Sequence, residues 1–176
     1  NWLDDRTLEF TLREGVRFID GEPFDADAAK RNLDRMLALN GPRRNTMRSI
    51  REVSVLGPYR LRIALHDPDP TLLRNLSTAP GLMVSPAAFD HAALDLNPVG
   101  TGPWIYDASA SAPGDYYRFR VNPDYFDPPG EDFAELEVIV LADGRTRLFS
   151  VISGQADIAV IGPPEVNTAS RRPGPC

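Results

Sequence analysis

Residues 7–27, TLEFTLREGVRFIDGEPFDAD, decide the fold that this sequence predicts. Leucine or phenylalanine alternates with polar residues over 8–12, which is typical of a strand with one buried face. Gly15 interrupts this pattern, residues 16–18 predict a second short strand, and Asp20-Gly21 indicates a turn. The stretch therefore predicts strands and a turn that lead directly into a helix.

That helix is predicted over residues 27–39. Asp25 is expected to be its N-cap, because an aspartate carboxylate accepts hydrogen bonds from the free N–H groups of the first turn. Asn40-Gly41-Pro42 is expected to end it. Its inward face is formed by residues that recur at helical spacing: Ala29, Leu33, Met36 and Leu37.

The elements that follow are short. A hairpin is predicted over 50–56 and 59–65, with Gly57-Pro58 as its turn. The apolar run 136–141 is expected to lie in the centre of a sheet. Further strands are predicted at about 82–85, 103–107, 116–121 and 157–161, and a short helix at 71–76.

A last helix is predicted over 146–153, with Leu148, Phe149 and Ile152 pointing inward and Gly154 capping its C-terminus. Periodicity disappears from Pro163 onward. The fold class is therefore α/β, in a mixed α+β arrangement whose partly antiparallel sheets are flanked by short helices.

The composition indicates an acidic globular chain. Of the 176 residues, 42% are hydrophobic and 25% are charged, and the formal net charge is −6. This charge argues against nucleic-acid binding, which depends on basic groups that neutralise phosphates. Cys176 is the only cysteine, so no intrachain disulfide or thiolate zinc site is expected. No apolar run approaches the roughly 20 residues that span a bilayer.

His66-Asp67-Pro68-Asp69 places an imidazole beside two carboxylates, which permits a metal or acid–base site. The favoured interpretation is a turn after a strand, because Asp-Pro pairs initiate turns. A serine hydrolase would need a base and an orienting acid, and the sequence places neither beside Ser85. Gly100-Thr101-Gly102 lacks the rest of a nucleotide-binding motif and indicates a tight backbone passage. No catalytic residue, metal ligand or cofactor is predicted.

Four stretches with recognisable motifs occur in this order along the chain: 8–26, 98–104 (PVGTGPW), 120–126 (RVNPDYF) and 145–157. In order and spacing they resemble the signature of family 5 extracytoplasmic solute-binding proteins. The second stretch is similar to that family's Gly-Thr-Gly-Pro-aromatic motif, and the last to its closing helix and Gly-x-x-Asp turn. Members of the family are the dipeptide, oligopeptide and nickel-complex receptors of ABC importers.

The resemblance implies a periplasmic-binding-protein-like lobe from an incomplete two-lobe fold. Complete members are roughly three times longer and enclose the ligand by hinge motion between two lobes. It also implies three parts. Residues 1–97 would form a small α+β subdomain, 98–162 part of a hinge-proximal sheet domain, and 163–176 a tail unlike the family.

The resemblance also implies candidate ligand-binding residues: Val160, Ile161, Gly162, Met47 and Leu82. The first three follow the Gly-x-x-Asp turn and face the cleft in relatives. The other two belong to Arg43–Arg48 and Pro80–Val84, which approach the cleft in relatives. Nickel-complex receptors have an arginine near the second of these stretches. Gly81-Leu82-Met83 stands there in this chain, which argues against capture of a metal chelate.

The implied function is reversible capture, without catalysis, of peptides or similar small solutes for an ABC permease in the membrane. The implied location is periplasmic or extracellular, with a lipoprotein anchor as an option, and the complete protein is expected to be a monomer. Two alternatives stay open at this point. One is a sensor or interaction module built from the same lobe, and the other, ranked last, is a hydrolase.

Overall fold

The computed structural model of the protein describes residues 1–39, 45–127 and 133–169. The chain divides into two compact units. The first comprises Asn1–Tyr106 with Phe119–Leu136, and the second Asp107–Arg118 with Glu137–Cys176. The three-part division at residues 97 and 162 stays a prediction. No helix among the described residues combines the length and the apolar character needed to cross a membrane.

The first unit is built on a four-stranded antiparallel sheet, in which Leu8 lies opposite Ile63. The predicted hairpin is confirmed. The strand order is β1-β2-β4-β3. The strands are β1 (Trp2–Asp4), β2 (Thr7–Thr11), β3 (Ile50–Gly57) and β4 (Arg60–Leu65).

The two faces of this sheet differ in polarity, as the alternation in its strands predicts. On one face Leu8, Ile63 and their neighbours are buried. On the other face the Glu9 carboxylate accepts hydrogen bonds from the guanidinium groups of Arg62 (2.6 Å) and Arg60 (3.0 Å). The hydrogen bond from Arg62 is the main cause that lowers the pKa of Glu9.

Helix α1, Ala26–Ala38, supplies buried residues to the apolar face of the sheet. The N-cap prediction is confirmed, because the Asp25 carboxylate accepts from the Ala28 N–H at 2.9 Å. Ala29 and Leu33 are buried as predicted, and Met36 is only partly buried. The predicted end of the helix at 40–42 lies outside the described residues.

Two connections in the first unit differ from the predictions, at residues 16–18 and 82–85, and one agrees, at 71–76. Residues 16–18 form no regular strand and join a tight loop through the Arg17–Pro23 bridge. The predicted helix at 71–76 is confirmed as α2, Leu72–Leu76. The predicted strand at 82–85 is absent, and the segment lies between single 3-10 turns at Ala79–Gly81 and Pro86–Ala88.

A three-stranded sheet contributes residues to both units. Its strands are β5 (Trp104–Ala112), β6 (Tyr116–Val121) and β7 (Glu135–Ile139), in the order β5-β6-β7. The predicted central position of the last strand is wrong for the described residues. Strand β7 lies at the sheet edge, and every one of its residues is exposed.

The second unit contains helix α3, Gly144–Ile152, with Asp143 as its N-cap. Leu148 is buried as predicted, whereas Phe149 (51% exposed) and Ile152 (45%) are not. The predicted strand at 157–161 is absent. Helix α4, Pro163–Ala169, was not predicted, because its few apolar residues show no helical period, although prolines at its start suit a first helical turn.

Candidate functional site

The loop before β3 and the segment after β4 border an open cleft of about 810 Å³ in the first unit. All of its lining residues except Pro68 are polar or charged, and they include Arg48, Ser49, His66, Asp67, Asp69 and Arg74. Met47 lies in the same loop but is fully buried in the hydrophobic core. A ligand could not touch its side chain without displacing that packing, so this placement does not support ligand contact by Met47.

Asp69 is the most heavily hydrogen-bonded side chain of this cleft. Its carboxylate accepts from Ser49 Oγ (2.6 Å), Thr71 Oγ1 (2.6 Å) and Thr71 N (2.8 Å). The hydrogen bond from Ser49 is the main cause that lowers the pKa of Asp69. The bonds to Thr71 have the geometry of an aspartate-initiated turn at the start of α2, as the turn interpretation predicts. The described residues hold no cluster of three metal-ligating side chains.

Residues 80–84 are fixed to helix α1 by one buried amide. Asn32 Nδ2 donates to Val84 O (2.8 Å), and Asn32 Oδ1 accepts from Val84 N (2.9 Å). The amide satisfies both backbone groups of Val84, as a neighbouring strand would. Leu82 is 70% exposed two residues earlier. The predicted ligand residue Leu82 is therefore accessible to solvent on a segment that is held in place.

At Gly81 the backbone of this segment passes very close to the end of α2. A Cβ atom at residue 81 would overlap the backbone of Leu76, at the end of α2. Only glycine permits so close a backbone approach.

The Gly100-Thr101-Gly102 stretch is a backbone passage held by its neighbours. Ile19 N donates to Gly100 O (3.0 Å). Asn122 Nδ2 donates to Gly102 O (2.9 Å), and Asn122 N donates to Pro103 O (2.8 Å). Two stretches of the resemblance, 98–104 and 120–126, are thereby brought together. The structure supports the backbone-passage interpretation.

The second unit carries the other three predicted ligand residues in an irregular segment, 158–162. Val160 is 84% exposed, while Ile161 and Gly162 are partly exposed. Arg147 in α3 holds the segment, because its Nε donates to Val160 O at 2.7 Å. Its Nη1 also donates to the carbonyls of residues 141 and 142. Val160 is therefore an accessible apolar side chain on a tethered backbone.

Two residues that position these segments were missed by the sequence reasoning, Asn32 and Arg147. Asn32 stands among the apolar residues of α1, and a buried asparagine at such a position needs hydrogen-bond partners. An asparagine at a predicted buried position of the helix was therefore the signal from which a long-range hydrogen bond could have been expected. Arg147 belonged to a recognised stretch, but its spacing did not reveal a long-range partner at residue 160.

Comparison with known structures first defines the class of protein. The fold matches an ABC transporter substrate-binding protein from Sinorhizobium meliloti, with a TM-score of 0.73 and 31% identity, over 88% of this chain and 32% of that one. It also matches NikA from Brucella suis, solved with Fe(III)-EDTA, with a TM-score of 0.71 and 33% identity over the same shares. The fold is that of a part of a periplasmic solute-binding protein.

The sequence then defines the family. The glutathione-binding protein GsiB of Escherichia coli (strain K12) is 30% identical over 160 residues, which are 89% of this chain and 31% of GsiB. The family described as bacterial extracellular solute-binding proteins, family 5 middle, matches residues 2–175. The chain belongs to this family, as the resemblance predicted. The match includes residues 163–175, which the sequence analysis had set apart as a tail.

The chain spans about one third of the length of these relatives. The prediction that relatives are roughly three times longer is confirmed.

Proposed function

We propose that this chain is part of the solute receptor of an ABC importer, which captures peptides or similar small solutes outside the cytoplasm and delivers them to a membrane permease. The observation that carries the proposal is the family match over residues 2–175. Reversible capture needs placed contacts and no reacting group. The proposed role is accordingly non-catalytic.

The proposed ligand contacts are Val160, Ile161, Gly162 and Leu82. Val160 and Leu82 are apolar side chains that are mostly exposed, each on a segment fixed by a hydrogen-bonded side chain. Exposed apolar residues on fixed backbone are suited to form the wall of a binding site, because binding removes them from water without ordering a loop. No strand of the described residues pairs with 158–162, but Val160 O and Gly162 O already accept hydrogen bonds within the chain, so the proposed contacts are made mainly by side chains.

Residues 81–83, which include the proposed contact Leu82, favour a peptide-like solute over a metal chelate. Two relatives are associated with different ligands, since GsiB is named for glutathione and NikA was solved with Fe(III)-EDTA. Residues 81–83 are Gly-Leu-Met and offer no cation to an anionic chelate. Glutathione, a small peptide, is therefore a reasonable first solute to test.

Isothermal titration calorimetry tests the proposal on the product of the complete reading frame that encodes this chain. Pooled di- to pentapeptides, glutathione, nickel–histidine and simple sugars are titrated in turn. Saturable binding of a peptide is expected. If none of these solutes binds, the receptor proposal is wrong.

Matched variants then locate the site. Leu82→Asp is expected to weaken binding about tenfold or more, since it places a charge on an apolar wall. Leu96→Asp is the control, because Leu96 is similarly exposed (63%) and lies outside the proposed contacts. Equal affinities for the two variants would exclude Leu82 from the site.

A further inference from the structure

Building on the proposed function, we infer that the polar cleft of the first unit binds the carboxylates of a small zwitterionic solute, such as a short peptide that contains an acidic residue. The cleft lies between the loop before β3, the segment after β4 and helix α2. Its volume of about 810 Å³ falls within the range of small-molecule sites. Peptide capture in general does not require this cleft.

The walls of the cleft are fixed to one another by hydrogen bonds. Ser49 Oγ donates to Asp69 at 2.6 Å, and His66 N donates to Ser49 O at 2.9 Å. These bonds join the loop before β3 to the segment after β4. Asn75 Nδ2 donates to Thr46 O at 2.8 Å and joins α2 to the same loop. A cleft with such walls exists before a ligand arrives, which lowers the cost of binding.

The described residues do not neutralise all the charges that face this cleft. The carboxylate of Asp69 is already satisfied by three hydrogen bonds. Among the described residues, no side chain forms an ion pair or hydrogen bond with the guanidinium of Arg48 or of Arg74. Within the part of the chain that the structure describes, two cationic groups and the exposed carboxylate of Asp67 therefore remain for a ligand.

This charge set matches a solute with two carboxylates and one ammonium group. Guanidinium groups of arginine bind carboxylates through paired N–H donors, with geometry that lysine does not offer. Asp67 is suited to accept the ammonium group. A dipeptide with a C-terminal glutamate carries this set of charges and fits the cleft volume. Its glutamine counterpart has nearly the same shape and one carboxylate fewer.

The test is an NMR titration of the ¹⁵N-labelled chain with Gly-Glu, Gly-Gln and inorganic phosphate. Gly-Glu is expected to shift the amide signals of residues 45–49 and 66–75 and to bind about fivefold more tightly than Gly-Gln, the ratio expected from one exposed charge pair. No shift in these residues, equal affinity for both dipeptides, or phosphate binding as tight as Gly-Glu binding would each overturn the inference.

Variants separate a built site from a general attraction for anions. Arg48→Gln and Arg74→Gln are each expected to weaken Gly-Glu binding about fivefold, and the variant that loses the partner of the side-chain carboxylate is also expected to lose the preference over Gly-Gln. Arg51→Gln is the matched control, because Arg51 is an exposed arginine in β3 that does not line the cleft. If Arg51→Gln weakens binding as much as the other two, the cleft is not the site.

The same variants in the product of the complete reading frame distinguish this inference from the receptor proposal. Solute binding that is unchanged by Arg48→Gln and Arg74→Gln would overturn the cleft site and leave the receptor proposal intact. A complete protein that binds none of the solutes, while the chain still prefers Gly-Glu, would overturn the receptor proposal and support the cleft site.

Discussion

Replacing Asn32 by alanine should loosen residues 80–84 and destabilise the first unit. The amide makes three hydrogen bonds, two with the backbone of Val84 and one to Ala28 O (2.9 Å). Asn32 is 8% exposed, so water cannot readily replace them. At about 1 kcal/mol for each bond, Asn32→Ala should cost about 3 kcal/mol. For a chain of this size, that lowers the melting temperature by about 6–12 °C.

Urea unfolding followed by circular dichroism measures the cost, and hydrogen exchange of the Val84 amide locates it. Asp34→Ala is the control on the same helix, because it removes only the exposed ion pair with Lys30, worth about 0.5 kcal/mol or less. The Val84 amide should lose protection in Asn32→Ala alone. A cost below about 1 kcal/mol, or a Val84 amide that stays protected, would refute the assigned role of Asn32.

Three further predictions concern single residues. Gly81→Ala should lower the free energy of unfolding, measured in urea, by about 3 kcal/mol, because the added Cβ would overlap the backbone of Leu76. At Gly57 an added Cβ would meet no atom, so Gly57→Ala should lower it by less than about 1 kcal/mol. Arg147→Met removes the donor to Val160 O, so limited proteolysis should cut near Val160 faster; an unchanged rate contradicts the tether. Asp69→Asn should be less stable than the original protein at neutral pH, and this difference in the free energy of unfolding should become smaller as pH falls. The native carboxylate contributes fully above its ordinary pKa of 3.8 and loses that contribution as pH falls through its lowered native pKa; a deficit constant from pH 7 to pH 2 would contradict this.

The elements that the sequence predicted correctly depend on local patterns. Asp25 caps α1 because its carboxylate needs only the next three residues, and the β3–β4 hairpin follows from alternation and a Gly-Pro turn. The errors depend on distant partners. The segment 82–85 has strand-like composition, but the groups that satisfy Val84 come from Asn32, 52 residues earlier. A pattern within a window cannot show such a partner.

Burial was also predicted less well than secondary structure. The apolar run at 136–141 suggested a central strand, yet β7 is an exposed edge among the described residues. Apolar composition indicates that a strand favours burial, but it does not show whether other strands lie on both sides of it. The candidate ligand residues came from the resemblance alone. Structure separates the accessible Leu82 and Val160 from the buried Met47, which local sequence could not do.

The amide of Asn32 has a consequence for binding kinetics. Because the amide of Asn32 fixes both backbone groups of Val84, we expect a solute that contacts Leu82 to meet a segment that is already in place, so that no slow rearrangement of this segment precedes binding. Association rates of different solutes at this surface should therefore be similar. Discrimination among them would reside in how long each one stays bound.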